Sequence, residues 1–187
     1  MSNIILQPCA NKAAQEHYTS TMLSPVPLSL VHSHVSLPDQ AALTTFSDNG
    51  GIRLWGAKPG EDGRNAARWK RVAPGDYLLF VHGGSRVSVA EVSHTFRSQA
   101  LARSLWGETK TANGKVQTWE YMFALLEPRD FTLPTITLNE LIGRKRNAAV
   151  QEFVVLGLEP SASVVEFLDL PDSPAAGDEG ETRPGVR

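Results

Sequence analysis

The strongest strand signal in this chain is Gly75-Asp76-Tyr77-Leu78-Leu79-Phe80-Val81-His82-Gly83-Gly84-Ser85, followed by Val87-Ser88-Val89-Ala90-Glu91-Val92. Each half is an apolar run of strand length, and the glycines between the halves are typical of a tight turn. The stretch therefore predicts two consecutive strands, 77–82 and 87–94.

Further strands are predicted on both sides of this pair. One covers 52–55, after the turn signal Asp48-Asn49-Gly50-Gly51, and another covers 116–126, after the hairpin signal Asn113-Gly114. Residues 3–8 are expected to be extended, and 150–156 favours a last strand.

Short helices are predicted between the strands. Asn11 and Ser98 are expected to cap two of them, and Thr137 with Glu140 has the spacing of a capping box for a third. The elements show no regular βαβ alternation. They predict an α+β fold, a curved and barrel-like sheet of about five or six strands with short helices packed outside.

Composition is that of a globular domain, with 41% hydrophobic and 20% charged residues in a chain of 187. No apolar run is long enough to span a bilayer, and the first residues lack the basic segment of a signal peptide. The single cysteine, Cys9, excludes an intrachain disulfide and a cysteine-based zinc site. We therefore expect a cytoplasmic protein with no membrane partner.

Charge is distributed unevenly along the chain. Between residues 52 and 118 there are 11 Lys/Arg against 5 Asp/Glu, whereas residues 159–187 contain 2 Arg against 7 Asp/Glu. A basic middle segment is typical of proteins that bind polyanions, although a solvated basic surface would give the same counts.

Two tryptophans of the middle segment are candidate stacking surfaces. Trp69 lies in Arg68-Trp69-Lys70-Arg71, and Trp106 lies in Leu105-Trp106-Gly107-Glu108. A nucleobase is a suitable flat ligand for an aromatic ring that basic residues surround. The alternative for either residue is ordinary core packing.

Other residues of this segment have the chemistry to complete such a site. A flipped-out base needs hydrogen-bonding partners for its edge and cations for the neighbouring phosphates. Candidates for the base edge are Lys58, Asn65, His82 and Ser85. Candidates for the phosphates are Arg64, Arg68, Lys70, Arg71, Arg86, Arg97 and Arg103, for which solubility at the surface is the alternative.

Enzymatic signatures are missing from the sequence. It contains no P-loop, no Rossmann glycine fingerprint and no His-Glu-x-x-His motif, so no cofactor is expected. His32 and His34 lie two residues apart but lack a third ligand nearby, so no metal site is expected either. We assign no catalytic residue.

Several short motifs resemble the EVE and YTH branches of the PUA-like superfamily. Trp55-Gly56-Ala57-Lys58-Pro59 is similar to the first-strand motif of EVE domains, and 75–82 to their Gly-Asp-strand-His segment. His82-Gly83-Gly84-Ser85 with 89–92 resembles two YTH strands. Leu105-Trp106, followed by 114–116, Trp119 and Phe123, follows the YTH order.

The resemblance covers roughly residues 50–127 and implies a role for each tryptophan. Trp69 and Trp106 would form an aromatic cage for a modified base, Trp119 would be a core residue, and Trp55 would belong to either group. The implied organisation is an N-terminal extension or cap at 1–48, a reader domain at 49–170, and a disordered acidic tail at 171–187.

The function that the resemblance implies is recognition of a modified base in duplex DNA, by flipping it into the cage. The modified base would be 5-methylcytosine, 5-hydroxymethylcytosine or N6-methyladenine. Such domains often serve modification-dependent restriction systems, in which a fused or partner nuclease supplies catalysis.

Three alternatives stay open. The first is an RNA-binding PUA-like module. The second is an ASCH-type ribonuclease that would use Lys58, His82 and Asp76. The third is a protein-interaction domain whose tryptophans are all core residues.

Overall fold

The computed structural model describes residues 1–60 and 62–172. The strands, in chain order, are β1 (Ile4–Pro8), β2 (Val26–Pro27), β3 (Gly51–Ala57), β4 (Tyr77–Gly83), β5 (Arg86–Arg97), β6 (Thr109–Lys110), β7 (Val116–Gln117), β8 (Tyr121–Leu125), β9 (Arg129–Thr132) and β10 (Val154–Val155). The helices are α1 (Lys12–Tyr18), α2 (Leu28–His32), α3 (Leu37–Thr45), α4 (Arg64–Trp69), α5 (Gln99–Trp106), α6 (Thr135–Leu141) and α7 (Leu158–Phe167), and a π-helical turn at Thr19–Leu23 continues α1.

Strands β4 and β5 form the central hairpin, as the sequence of residues 75–92 predicts. The two strands are antiparallel, with Leu79 opposite Val89. Gly83 and Gly84 connect them with positive φ angles of 99° and 61°, a conformation that glycine adopts without strain.

Eight strands form the main sheet, in the order β10-β1-β4-β5-β8-β3-β2, and β9 pairs with β5 beside this path. The α+β prediction is confirmed, but within the described ranges the sheet does not close into a barrel. The strand count exceeds the expected five or six because β2 and β9, with two and four residues, are too short to give a clear periodic pattern.

Alternating residues of the central strands fill two cores, one on each face of the sheet. Leu78 and Phe80 pack in the first core, on the face that α1 covers. Leu79 packs in the second core with Leu138 of α6 and Val164 of α7. This alternation is the period of two that a strand buried on both faces requires.

The N-terminal strand β1 lies inside the sheet. It pairs in parallel with β4 and antiparallel with β10. The division into 1–48 and 49–170 stays a prediction, but β1 and β4 belong to one sheet. Of the tail predicted at 171–187, only Pro171 and Asp172 lie within the described residues.

Helix caps were predicted with mixed success. Asn11 Oδ1 accepts a hydrogen bond from the Ala14 amide at 2.9 Å, and Ser98 Oγ accepts one from the Leu101 amide at 3.1 Å, so both caps are confirmed. The capping box at Thr137 is wrong. Helix α6 already begins at Thr135, after Pro134, whose fixed φ suits a helix start.

The strand predicted at 116–126 is divided into β7 and β8. Strand β7 pairs with β6 in a separate hairpin, whereas β8 lies in the main sheet between β3 and β5. The intervening residues 118–120 therefore leave the strand conformation, and they place Trp119 beside the end of β3.

Asp76 holds the start of β1 against the turn before β4. It is 4% exposed, and its Oδ1 accepts hydrogen bonds from the Asn3 amide at 2.7 Å and Asn3 Nδ2 at 3.1 Å. Its Oδ2 accepts a bond from the Ala73 amide at 2.8 Å. The Gly-Asp motif therefore has a structural role in joining two strands.

None of the helices in the described ranges has the length and apolarity that crossing a bilayer would require.

Candidate functional site

A surface cavity of about 430 Å³ opens where α1, the end of β3 and the loop before β10 meet. Its volume lies within the range of about 300 to 1,000 Å³ that is usual for small-molecule sites. The side chains with the most distinctive chemistry on its wall are His17, Trp55, Lys58, Asn65, Thr109 and Trp119.

Trp119 provides an aromatic wall of the cavity. It is partly buried, and the His17 ring meets it edge to face, with the ring centroids 4.6 Å apart. Trp106 lies behind this pair, 6.4 Å from Trp119 and 5.8 Å from His17 between ring centroids. The three rings support one another, which holds Trp119 in a defined orientation.

Gly56 allows this arrangement. A Cβ atom at Gly56 would stand 2.8 Å from Trp106 Cζ3 and 2.8 Å from Trp119 Cβ, and it would overlap the Trp119 carbonyl oxygen. The absence of a side chain at Gly56 is therefore what lets the segment after β7 lie directly against β3.

Lys58 supplies the positive charge of the cavity. Its Nζ lies 5.1 Å from the centroid of the Trp119 ring and 3.4 Å from Thr109 Oγ1. No aspartate or glutamate of the described chain lines the cavity. The ammonium group is therefore available to an acceptor atom or a negative charge on a ligand.

Trp55 carries a donor that has no acceptor. The residue is 3% exposed, lines the cavity, and packs edge to face against Phe80 at 5.0 Å. Its Nε1–H is buried and has no acceptor among the described residues. A ligand acceptor that reached this group would remove a desolvation penalty of about 1 to 3 kcal/mol.

Amide side chains add neutral donors and acceptors to the cavity wall. Asn65 comes from α4, Gln7 from β1, Asn11 from the N-cap of α1, and Gln151 from the loop before β10. Amides present both a donor and an acceptor, so they can pair with the edge of a planar heterocycle.

Burial lowers the pKa of His17 below its ordinary value of 6.5, and nearby Lys58 lowers it further, while Glu16 acts in the opposite direction. His17 is therefore neutral at pH 7. Among the described residues that line this wall, Lys58 is therefore the only cationic side chain beside a neutral imidazole.

The structure brings three predicted base-binding residues together in this cavity, namely Trp55, Lys58 and Asn65. Trp106 contacts the aromatic wall from behind but does not line the cavity. Trp119, which the resemblance assigns to the core, lies on the cavity wall instead.

Trp69 lies away from the cavity lining. Its Nε1 donates a hydrogen bond to the Met122 carbonyl oxygen at 3.1 Å, and its ring packs 5.4 Å from Tyr121. It is partly buried against the first core. These contacts give Trp69 a structural role, and its assignment to base binding stays a prediction.

His82 and Ser85 lie apart from Trp55 and Lys58. His82 Nε2 is hydrogen-bonded to Ser88 Oγ at 2.8 Å, and the residue lines a separate pocket of about 220 Å³ with Arg86. Ser85 is exposed in the turn after β4, where its carbonyl oxygen accepts a bond from the Leu133 amide. Their base-binding role stays a prediction.

Five of the seven residues predicted to contact phosphates form ion pairs with carboxylates. The pairs are Arg64–Asp62 at 3.2 Å, Arg68–Glu152 at 3.2 Å, Arg86–Asp130 at 3.9 Å, Arg97–Glu120 at 2.8 Å, and Arg103–Glu108. Lys70 and Arg71 are exposed and pair with no carboxylate of the described chain. Each ion pair reduces the positive charge that its arginine can present to a phosphate. The phosphate contacts of all seven residues stay predictions.

Among the residues predicted to contact phosphates, Arg64 and Arg68 lie beside the cavity. They line an adjoining pocket of about 380 Å³, which shares Asn65, Gln151 and Phe153 with the main cavity. Arg68 also donates to the Phe153 carbonyl oxygen at 2.7 Å and so fixes the loop before β10.

Sequence reasoning missed His17, Asn11, Thr109 and Gln151 as cavity residues. His17 and Asn11 fall in the segment that was assigned to an extension. The available signal was the apolar run Ile4-Ile5-Leu6, which resembles a buried strand and implies that the following helix packs on the sheet.

Residues proposed for a ribonuclease are not assembled into one site. Lys58 lines the cavity, His82 lines the separate pocket, and Asp76 is bound within the turn before β4. The described residues also contain no cluster of three or more His, Cys, Asp or Glu with the arrangement of a metal site.

Fold and site together define an α+β domain that carries a polar, aromatic-walled cavity. A solved structure with this fold is the N-terminal domain of McrB from Thermococcus gammatolerans, bound to m5C DNA. The two align with a TM-score of 0.63 and 11% sequence identity, over 90% of this chain and 98% of that one. The likeness confirms the predicted fold class.

No protein-family model matches the sequence, and no curated protein matches it significantly.

Proposed function

We propose that this chain is a non-enzymatic DNA-binding module that recognises a modified base held in the cavity between α1 and β3. The observation that carries the proposal is the combination of the Trp119 wall with the Lys58 ammonium group, which pairs with no carboxylate on the cavity wall, and the unpartnered Trp55 Nε1. The shared fold with a domain bound to m5C DNA supports it.

A base outside the duplex matches the chemistry of this cavity. Its ring would stack against Trp119, because aromatic side chains bind any base through its flat face. Its carbonyl and ring-nitrogen acceptors would receive hydrogen bonds from Lys58 and Trp55. Amide groups such as Asn65 would pair with the exocyclic amine.

The depth of Trp55 supports base flipping as part of the proposal. Trp55 is 3% exposed, so a base within a stacked duplex would not reach it. The cost of unstacking is a few kcal/mol, and burial of the base against Trp119 with new hydrogen bonds would offset it.

A methyl group on the bound base would give the modified duplex a modest advantage in affinity over the unmodified duplex. One methyl group buried in an apolar part of the cavity stabilises the complex by about 0.8 kcal/mol, which corresponds to about a fourfold gain in affinity. Apolar lining is available from Ala14, Ala57 and Phe153. The proposed role is a specificity module of a modification-dependent restriction system, in which a nuclease partner supplies catalysis.

The test is a fluorescence-anisotropy panel at fixed salt. One duplex carries cytosine, 5-methylcytosine, 5-hydroxymethylcytosine, adenine or N6-methyladenine at a single position, and the matching RNA is included. We expect severalfold preference for one modified duplex, and its loss in Lys58→Ala. Tighter binding of the RNA than of every duplex would favour an RNA-binding module.

The control variant is Lys70→Ala, which removes an exposed lysine outside the cavity lining. It should keep the preference for the modified duplex. Equal loss of preference in Lys58→Ala and Lys70→Ala would contradict the cavity as the site of recognition.

A further inference from the structure

A basic loop follows α6, and none of its residues is among the predicted phosphate contacts. It runs over residues 143–149 and carries three consecutive exposed cations, Arg144, Lys145 and Arg146. Gly143 opens the loop with a φ of 69°, which reverses the chain direction after the helix.

The loop is held from beneath by a buried asparagine. Asn139 is 0% exposed, and its Nδ2 donates to the carbonyl oxygens of Arg146 at 2.9 Å and Ala148 at 2.8 Å. The backbone carbonyl oxygen of Asn139 accepts a bond from the Arg144 amide at 2.8 Å. Three bonds to one buried residue fix the backbone, so the cations are presented on a preorganised support.

The charge of the loop is only partly neutralised. Arg146 pairs with Glu140 at 2.8 Å, whereas Arg144 Nη2 donates to the neutral Ala149 carbonyl oxygen at 3.0 Å. Lys145 forms no ion pair with a carboxylate of the described chain. Two of the three cations are therefore free to bind an anion, in contrast to the arginines paired with carboxylates elsewhere.

The loop lies next to the candidate base cavity. Arg144 and Ala149 line a pocket of about 340 Å³ together with Gln151, and Gln151 also lines the main cavity. A strand whose base enters the main cavity would continue past Gln151, and its phosphates would meet the loop.

We propose that Arg144 and Lys145 form a phosphodiester-binding site that holds the DNA strand beside the flipped nucleotide. This inference rests on the proposed function. Backbone contacts of this kind set the position of the protein on DNA and contribute affinity that is independent of sequence and strongly dependent on salt.

The experiment measures affinity for modified and unmodified duplexes over a series of salt concentrations, with Arg144→Gln/Lys145→Gln and the wild-type chain. We expect the double variant to lose affinity for both duplexes by the same factor. The slope of log affinity against log salt should fall by about 1 for each residue removed. The ratio of the two affinities should stay unchanged.

The matched control is Arg129→Gln, an exposed cation on β9, which is separated from β10 by β1, β4 and β5. It should keep the wild-type slope. Thermal unfolding verifies that all variants are folded, and Lys145→Gln alone, at an exposed position, should still lower the slope by about 1.

The two proposals fail in different ways. An unchanged slope in the double variant, with DNA binding intact, would overturn the loop site while the cavity stands. No preference for any modified duplex, with a slope still reduced in the double variant, would overturn the proposed recognition but support the loop. No binding of DNA by the wild-type chain would overturn both.

Discussion

Gly56 and Trp119 lie in such close contact that a Cβ atom at Gly56 would overlap the Trp119 carbonyl oxygen and stand 2.8 Å from Trp119 Cβ. The position of the aromatic wall therefore depends on a glycine in the neighbouring strand. Trp106 is constrained by the same glycine, since its Cζ3 would also lie 2.8 Å from the added carbon.

Gly56→Ala should displace Trp119 and Trp106 and so disturb the cavity wall. Overpacking of this kind costs about 1 to 3 kcal/mol of unfolding free energy. Urea denaturation measures the loss, and DNA titration should show reduced preference for the modified duplex. Gly157→Ala is the control, because its new methyl would lie 3.9 Å from Pro160 Cδ and make ordinary contact. Equal effects of the two substitutions would refute the packing argument.

Trp119→Ala and Trp69→Ala should have opposite effects. Trp119→Ala removes the cavity wall, so we expect the modified-base preference to disappear while the protein stays folded. Trp69→Ala removes the hydrogen bond to Met122 and packing against the first core, at a cost of about 3 kcal/mol or more. The variant should keep the preference in its folded fraction. Loss of preference in Trp69→Ala with full stability would instead restore Trp69 as a base-binding residue.

Asp76→Asn should destabilise the protein although it changes few atoms. The carboxylate accepts from the amides of Asn3 and Ala73 with different oxygens, and an amide side chain retains only one of these acceptors. We expect a loss of about 2 to 3 kcal/mol in the unfolding free energy, because hydrogen bonds to a charged group are the stronger ones. Urea titration provides the value. Asp130→Asn, at an exposed carboxylate, should change it by much less.

Stability should fall as the pH decreases below about 6.5. Burial lowers the pKa of both His17 and His82 in the folded protein, so the unfolded chain binds protons first. Well above pH 6.5 both states carry neutral imidazoles, so the contribution of these two histidines to stability no longer changes. It declines between the unfolded and folded pKa values and levels off below the latter.

Urea midpoints measured from about pH 7.5 to about pH 5 test this sign. His17→Gln and His82→Gln should each reduce the decline, whereas His34→Gln, at a half-buried histidine outside both pockets, provides the comparison. A midpoint that rises on acidification, or single variants with the wild-type profile, would contradict the argument.

Local elements of the fold could be predicted from neighbouring residues in the chain. The apolar runs on either side of Gly83-Gly84 predict β4 and β5 because a strand buried on both faces needs uninterrupted apolar residues. Asn11 and Ser98 were identifiable as caps because each satisfies an amide only three residues away. Such interactions depend on neighbours in the chain, and the sequence contains them directly.

The set of residues that share the cavity depends on long-range packing in the folded chain. His17 and Trp119 are distant in the sequence and meet because β1 pairs in parallel with β4 and carries α1 across the sheet. Trp69 and Trp119 both stand among polar neighbours, but one donates its N–H to a strand carbonyl and the other faces the cavity. Side-chain direction at such positions is set by long-range packing, which no local pattern encodes.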